Sequence, residues 1–538
     1  MKTTTTFVAS RRGILGMGLA ALAIPAASSV LSACGGGSSG GAGPSGSAVK
    51  NLVVAATRGA VALDPDTGAG APATQVWLNI YDTLVDTSVP ADGTPAAADA
   101  NAGLAASWTT DESGLVWTFA LQPSCESAAG NELTADDILW SVERSLAMQG
   151  SPGFFYMLAG ITDVAQLAKV DDKTVSITLA EAPQPYFVQL LGAPWMAIYD
   201  SVEMKKHATD ADPWAAEWLT TNAAGFGPFS LADRSSDGSR ATLTANPKHW
   251  KAPALETITW TVAEPANSLQ LLTRGESMLG NDYSPSQLDQ VAGTDGVQVV
   301  EIASAGTTFL GMQNTIAPFT DKALRQGIAK ALPFSDIIAS AYGSYAEQWT
   351  SHIVPSFDGF TDTHWAYGDN AVEAPELADY QGTTVTLSYL AGSPSHEAIA
   401  VLVQSSLADA GLDAQLSALD QTTFDTERLA GKLPFYIDDT DVPAVPNAAY
   451  QLSHLFATQP IQQLFGYQNP EIDELITGLK TATGDERAQL LDRAQEILAE
   501  DVPTIPLAWT KFHVPAGDQV TGFQGHVMNL LWAKELSL

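Results

Sequence analysis

Three kinds of residue in this chain could do chemistry: a cysteine behind a small-residue run, serines inside glycine-rich strings, and eight histidines. The cysteine is the most specific, because Leu31-Ser32-Ala33-Cys34 has the pattern of a lipobox, in which the thiol is acylated and Cys34 becomes the first residue after processing. The serines mislead. Gly36-Gly37-Ser38-Ser39-Gly40 spells a nucleophile elbow and Gly41-Ala42-Gly43-Pro44-Ser45-Gly46 a dinucleotide loop, yet no strand precedes them and no helix follows. A hydrolase would need a nucleophile beside a base, paired carboxylates, or His-Glu-x-x-His, and His396-Glu397 is followed by Ala-Ile-Ala. Histidines at 207, 249, 352, 364, 396, 454, 513 and 526 put no two at helical ligand spacing. No catalytic residue, metal or cofactor is therefore expected, and without a Gly-x-x-x-x-Gly-Lys-Ser/Thr loop the chain cannot use ATP.

The elements around Cys34 are those of an export signal. Ser10-Arg11-Arg12-Gly13-Ile14-Leu15 resembles the twin-arginine pattern, and an apolar run from Ile14 to Leu31 follows, rich in Ala and Gly and broken by Pro25. Such a run spans a bilayer poorly. Residues 1–33 read as a cleaved signal and 34–48 as a Gly/Ser leash. Later apolar stretches are interrupted by charge, Gly or Pro, so the expected product is exported and held by lipid at the outer face of the cytoplasmic membrane or in the periplasm.

Composition narrows the partners. The chain has 25 bases and 60 acids, and loss of Lys2, Arg11 and Arg12 with the signal leaves 22 bases and a net charge of −38. That surface repels nucleic acid and anionic headgroups. About 490 residues remain beyond the leash, too many for one core and suited to two large lobes. With Cys34 acylated, Cys125 has no partner for a disulfide.

Periodicity gives the class. Val175, Ile177 and Leu179 alternate with polar neighbours, as do Val385, Leu387 and Tyr389, and predict strands. Thr134-Ala135-Asp136-Asp137 has the form of a capping box ahead of Ile138, Val142 and Leu146. Asn469-Pro470 opens a helix over Ile472, Leu475, Ile476 and Leu479, and a second helix after Gly484 runs through Leu490, Leu491, Ala494, Ile497 and Leu498 to a stop before Pro503. Strands and helices interleave without internal repeats, so the class is α/β or mixed α+β.

A series of segments in order then resembles the family 5 extracellular solute-binding proteins, which include dipeptide, oligopeptide and nickel-binding proteins of ABC importers. They are Leu63-Asp64-Pro65, Ile80-Tyr81-Asp82-Thr83-Leu84-Val85, Gly103 to Trp108, Val116 to Leu121, Leu133 to Ile138, Gly225-Phe226-Gly227-Pro228-Phe229, Ala245-Asn246-Pro247-Lys248-His249-Trp250, Phe309 to Asn314, Pro318 to Ile328, Asn469 to Asp473 and Pro503 to Leu507. The resemblance implies the two-lobed type II periplasmic-binding-protein (Venus-flytrap) fold, with an enlarged lobe of residues 49–303 and 508–538, a second lobe of 304–507, and a hinge between them. It implies a monomer that takes a peptide or similar small organic solute between the lobes and passes it to an ABC permease and its ATPase subunits. A nickel or metal-chelate ligand is the alternative within the family, and an extracellular hydrolase the alternative outside it.

In peptide-binding relatives an Asp three residues after a Trp pairs with the ligand's α-amino group. Placing Tyr436 on that Trp makes Asp439 the anchor, whereas placing Asp441 on the family's Asp-x-Pro-Asp-Pro run leaves Ala444 where a second Asp is usual. The same resemblance adds Tyr81 and Asp82 from the first lobe. The usual His-Asp-Gly before Leu133 is replaced by Cys125 to Asn131, a loop that supports the first lobe rather than the cleft.

Overall fold

Strand sequences of two kinds divide the molecule. In the computed structural model, Thr307–Met312 and most of Thr504–Thr510 are buried along their length, as strands covered on both faces must be, whereas Thr174–Thr178 and Arg240–Ala245 alternate buried and open positions. The structure describes residues 50–538 apart from 57–58, 60–61, 69–74, 91–99, 282, 369–373, 440–441, 460 and 462–463. The signal, Cys34 and the leash lie outside the described residues.

The first lobe is built on a seven-stranded sheet with the order 297–302, 512–517, 279–280, 51–56, 257–262, 240–245, 229–234. A separate four-stranded antiparallel sheet comprises 105–110, 116–121, 174–178 and 167–171. The second lobe has a six-stranded sheet in the order 346–348, 504–510, 307–312, 435–438, 384–390, 413–419. The chain moves from the first lobe's sheet to the second's between Ile302 and Thr307 and returns between Thr510 and Phe512. Pro506 sits within a central strand, where it can donate no ladder hydrogen bond, and the register against 307–312 shifts between Thr308 and Phe309, opposite it.

Helix ends follow from local chemistry. Thr134 and Asp137 form the reciprocal cap of Ala135–Met148, with Ile138 and Val142 buried and Leu146 half-buried. Asn469 caps Pro470–Gly478, and Gly484–Asp501 buries Leu491, Ala494, Ile497 and Leu498. The loop from Cys125 to Asn131 does brace the first lobe: the Ser127 hydroxyl donates to Asp200 at 2.5 Å and Asn131 Nδ2 at 2.9 Å. Cys125 is free and buried, and burial pushes its thiol up to about 12.

The first lobe also encloses charge. Arg144 donates to both oxygens of Asp64 (2.9 and 2.7 Å) and pairs with Asp66, and the Tyr199 hydroxyl donates to the same two carboxylates at 3.1 and 3.0 Å. Two acids around one cation leave one carboxylate poorly compensated. Burial, opposed by Arg144 and aided by Asp64, lifts Asp66 to about 6.

Two histidines set the acid limit. His352, packed against Trp365 and Phe456, and His526, beside Thr87, are fully buried, and burial depresses both to about 4. Each stays neutral in the fold but takes a proton near 6.5 when unfolded, so stability falls as pH drops from about 6.5 toward 4. Asp66, shifted the other way, offsets part of that loss. We predict that denaturant unfolding will show up to about 3 kcal/mol lost per histidine across this window, and that His352→Phe will flatten the decline.

Candidate ligand-binding cleft

The two crossings bring strand ends from both sheets to one place, and a cavity of about 270 Å³, open to solvent, lies there. Its walls include Tyr283 from the first lobe, Thr308, Tyr342 and Asp439 from the second, and Lys511 and His513 at the return crossing. Each is placed by an element end. The Ser284/Gln287 capping box starts Pro285–Val291 and leaves Tyr283 just ahead of it, Tyr342 ends Phe334–Tyr342, and Asp439 follows Phe435–Asp438.

The polar groups differ in how far they are already used. Tyr342 Oη and Thr308 Oγ1 share a hydrogen bond of 2.6 Å. Burial, and then the charge of Asp439, push the Tyr342 hydroxyl well above its ordinary range, so it remains a neutral donor. Lys511 bridges Glu301 of the first lobe at 2.8 Å and Glu347 of the second at 2.9 Å, and lies over the Trp509 ring at 5.3 Å. Its positive charge is therefore shared before any ligand arrives. Asp439 Oδ1 lies 3.1 Å from His396 Nε2 without the geometry of a hydrogen bond, and His396 Nδ1 accepts from Leu390 N at 3.2 Å. The Asp439 side chain keeps 35 % of its exposure. Asp439 is thus a partly exposed carboxylate on the cavity wall, the chemistry that receives an ammonium group.

The other residues singled out from the sequence fall elsewhere. Asp82 is buried and accepts from His249 Nε2 at 2.8 Å and Trp250 Nε1 at 3.0 Å. Burial would raise its pKa, but Lys534 and His249 outweigh that and hold it near 2. Tyr81 is buried edge-on against Tyr199, with ring centroids 5.2 Å apart. Tyr436 is buried with its ring against Gly311, where a Cβ would come within 2.3 Å of Cζ, and its hydroxyl donates to Leu464 O at 3.3 Å. Asp441 lies outside the described residues. Of the described candidates, then, Asp439 lines the cavity while Tyr81, Asp82 and Tyr436 are packed into the lobes.

The segments that surround Asp82 belong together physically. Gly227 passes so close to Ile80 that a Cβ would meet its carbonyl carbon at 2.4 Å, Asn246 Nδ2 donates to Glu126 O at 2.8 Å, and His249 and Trp250 reach Asp82. The profile of bacterial extracellular solute-binding proteins, family 5 Middle, matches residues 99–463. The chain belongs to this family.

Among curated relatives, the probable D,D-dipeptide-binding periplasmic protein DdpA of Escherichia coli K12 is 25 % identical over 80 % of this chain and 83 % of its own length. The glutathione-binding protein GsiB of E. coli is 24 % identical over 88 % and 92 %. Among solved structures, the Helicobacter pylori binding protein DppA in complex with the peptide STSA superposes with a TM-score of 0.74 at 23 % identity, covering 91 % of this chain and 98 % of that one. The substrate-binding protein CtaP of Listeria monocytogenes gives 0.78 at 20 % identity over 91 % and 99 %. The solute-binding protein accordingly has the type II periplasmic-binding fold, two lobes joined at a hinge. Among the described residues no helix is long and apolar enough to cross a membrane, and no three His, Cys, Asp or Glu side chains converge as a metal-ligand set.

Sequence reasoning missed Tyr283, Thr308, Tyr342 and Lys511. Ser284-Pro285 followed by Gln287 marks a helix start and could have placed Tyr283 at a loop edge. The other three carry no local signal, because the cavity exists only once both crossings are made.

Stability separates the two carboxylates. Asp82→Ala removes the acceptor of two buried donors and a counter-charge of buried Lys534, so denaturant unfolding should show a loss of about 3–5 kcal/mol. Asp439→Asn should change it by less than about 1 kcal/mol.

Proposed function

We propose that the solute-binding protein is an exported lipoprotein that captures a peptide or similar small organic solute bearing an α-amino group and delivers it to an ABC permease driven by separate ATPase subunits. The observation that carries the ligand class is the partly exposed carboxylate of Asp439 on a cavity walled by both lobes. A cation taken there would touch both halves at once and favour the closed state by its differential contacts. Relatives that bind D,D-dipeptides and glutathione support the same class. The proposal includes lobes of 49–303 with 508–538 and of 304–507; the outgoing passage between Ile302 and Thr307 fits the first boundary, while the strand Thr504–Thr510 stays in the second sheet to its end. It also includes acylation at Cys34, supported by Leu31-Ser32-Ala33-Cys34 and the leash behind it.

Native mass spectrometry of protein purified without denaturation should retain a cargo whose mass identifies the ligand. In calorimetric titration with that ligand, Asp439→Asn should weaken binding on the order of tenfold to a hundredfold, and acetylation of the ligand amine should do the same to the unmodified protein. Equal affinity for acetylated and free amine would sink the amine-anchor assignment, and saturable nickel binding with no response to any peptide would move the ligand class to metal chelates. Cys34→Ala should leave the protein without the mass of an attached diacylglyceryl group and shift it to the soluble fraction.

A further inference from the structure

A second pair of chambers lies away from Asp439. One, of about 390 Å³, is walled by Trp108, Trp117 and Phe187 of the first lobe and by Lys480 of the second. The other, of about 440 Å³, shares with it Ala182, Pro183, Gln184 and Lys480. The aromatic wall is built and held. Strands Ala105–Thr110 and Val116–Leu121 pair side by side and present Trp108 and Trp117, the Trp117 indole donates to Gly114 O at 3.0 Å, and its ring packs on Phe187 with centroids 5.1 Å apart. Both indoles remain half-open.

Lys480 follows the helix Pro470–Gly478, and no ion pair or side-chain hydrogen bond engages its ammonium among the described residues. In a chain with 60 acids against 25 bases, an unengaged lysine at the mouth of an aromatic chamber is a specific feature. Glu181 lines the other chamber, so the side favourable to an anion is the one with the tryptophans. The lobes touch at this place as well: Asn447 Nδ2 donates to Gln189 Oε1 at 2.9 Å, and Tyr186 meets Tyr450 edge-on at 5.2 Å.

We propose that this chamber is a second ligand site, distinct from the cavity at Asp439, which takes a small aromatic carboxylate. The ring lies against Trp108, Trp117 and Phe187, and the carboxylate pairs with Lys480. Ring faces and edges supply the apolar contact, while the ammonium selects the charge. Because its walls come from both lobes, the occupied site favours the closed arrangement without any amine anchor.

N-acetyl-L-phenylalanine separates the two sites, since it has a ring and a carboxylate but no free amine. It should bind in calorimetry and change tryptophan fluorescence. Lys480→Met should weaken it about tenfold or more, Lys480→Arg should restore most of the affinity, and Asp439→Asn should leave it unchanged. The uncharged amide of N-acetylphenylalanine should bind far more weakly to the unmodified protein. No binding at millimolar ligand, equal affinity for acid and amide, or loss in Asp439→Asn with no effect of Lys480→Met would each overturn the proposal. The outcome is independent of the amine-anchor assignment, because a failure here leaves the response of free peptides to Asp439→Asn untouched.

Discussion

The first lobe depends on a lysine that has almost no contact with water. Lys534 Nζ reaches Asp86 at 2.5 Å, lies over the Trp532 ring at 4.4 Å, and faces Asp82, which in turn holds His249 and Trp250. Removing a charge from solvent costs several kcal/mol unless its partners are in place. Here the partners come from widely separated parts of the chain, 448 residues apart in the case of Asp86 and Lys534. Backbone contacts close the same seam: Gln75 Nε2 donates to Leu531 O at 2.7 Å and Asn79 Oδ1 accepts from Ala533 N at 3.0 Å. The strands of the six-stranded sheet therefore lie in the chain between stretches that share the seven-stranded sheet, and the ion cluster helps to join those stretches.

This arrangement leaves the cleft with few uncommitted charges. Asp64, Asp66, Asp82 and Asp86 are all consumed inside the first lobe, each by a cation or by N–H and O–H donors. Lys511 is divided between two glutamates across the lobes. Asp439 is different because its neighbour His396 comes from its own lobe and leaves the carboxylate partly exposed. Among the described residues an acidic protein thus presents the Asp439 carboxylate to the cavity while other carboxylates serve solubility or the core.

Local features of the fold were legible in the sequence. Thr134 and Asp137 announce a helix start, Gly484 to Asp501 shows its buried side in the spacing of its leucines, and Val385 and Leu387 alternate as a strand does. The site was legible less evenly. Asp439 could be named from its place after Tyr436, whereas Asp82, next to a motif tyrosine, has a structural role fixed by His249 and Lys534, residues far along the chain that no local pattern connects to it. Tyr342 and Thr308 meet only because one helix end packs on one strand, a tertiary coincidence that leaves no periodic trace.

The seam at Lys534 also bears on how the molecule is made. During synthesis Asp82 and Asp86 emerge long before their counter-ion, so the first lobe must wait with unneutralised acids while the whole second lobe is produced. The six-stranded sheet draws all its strands from the continuous stretch 307–510, and so its ladder needs nothing from the returning segment.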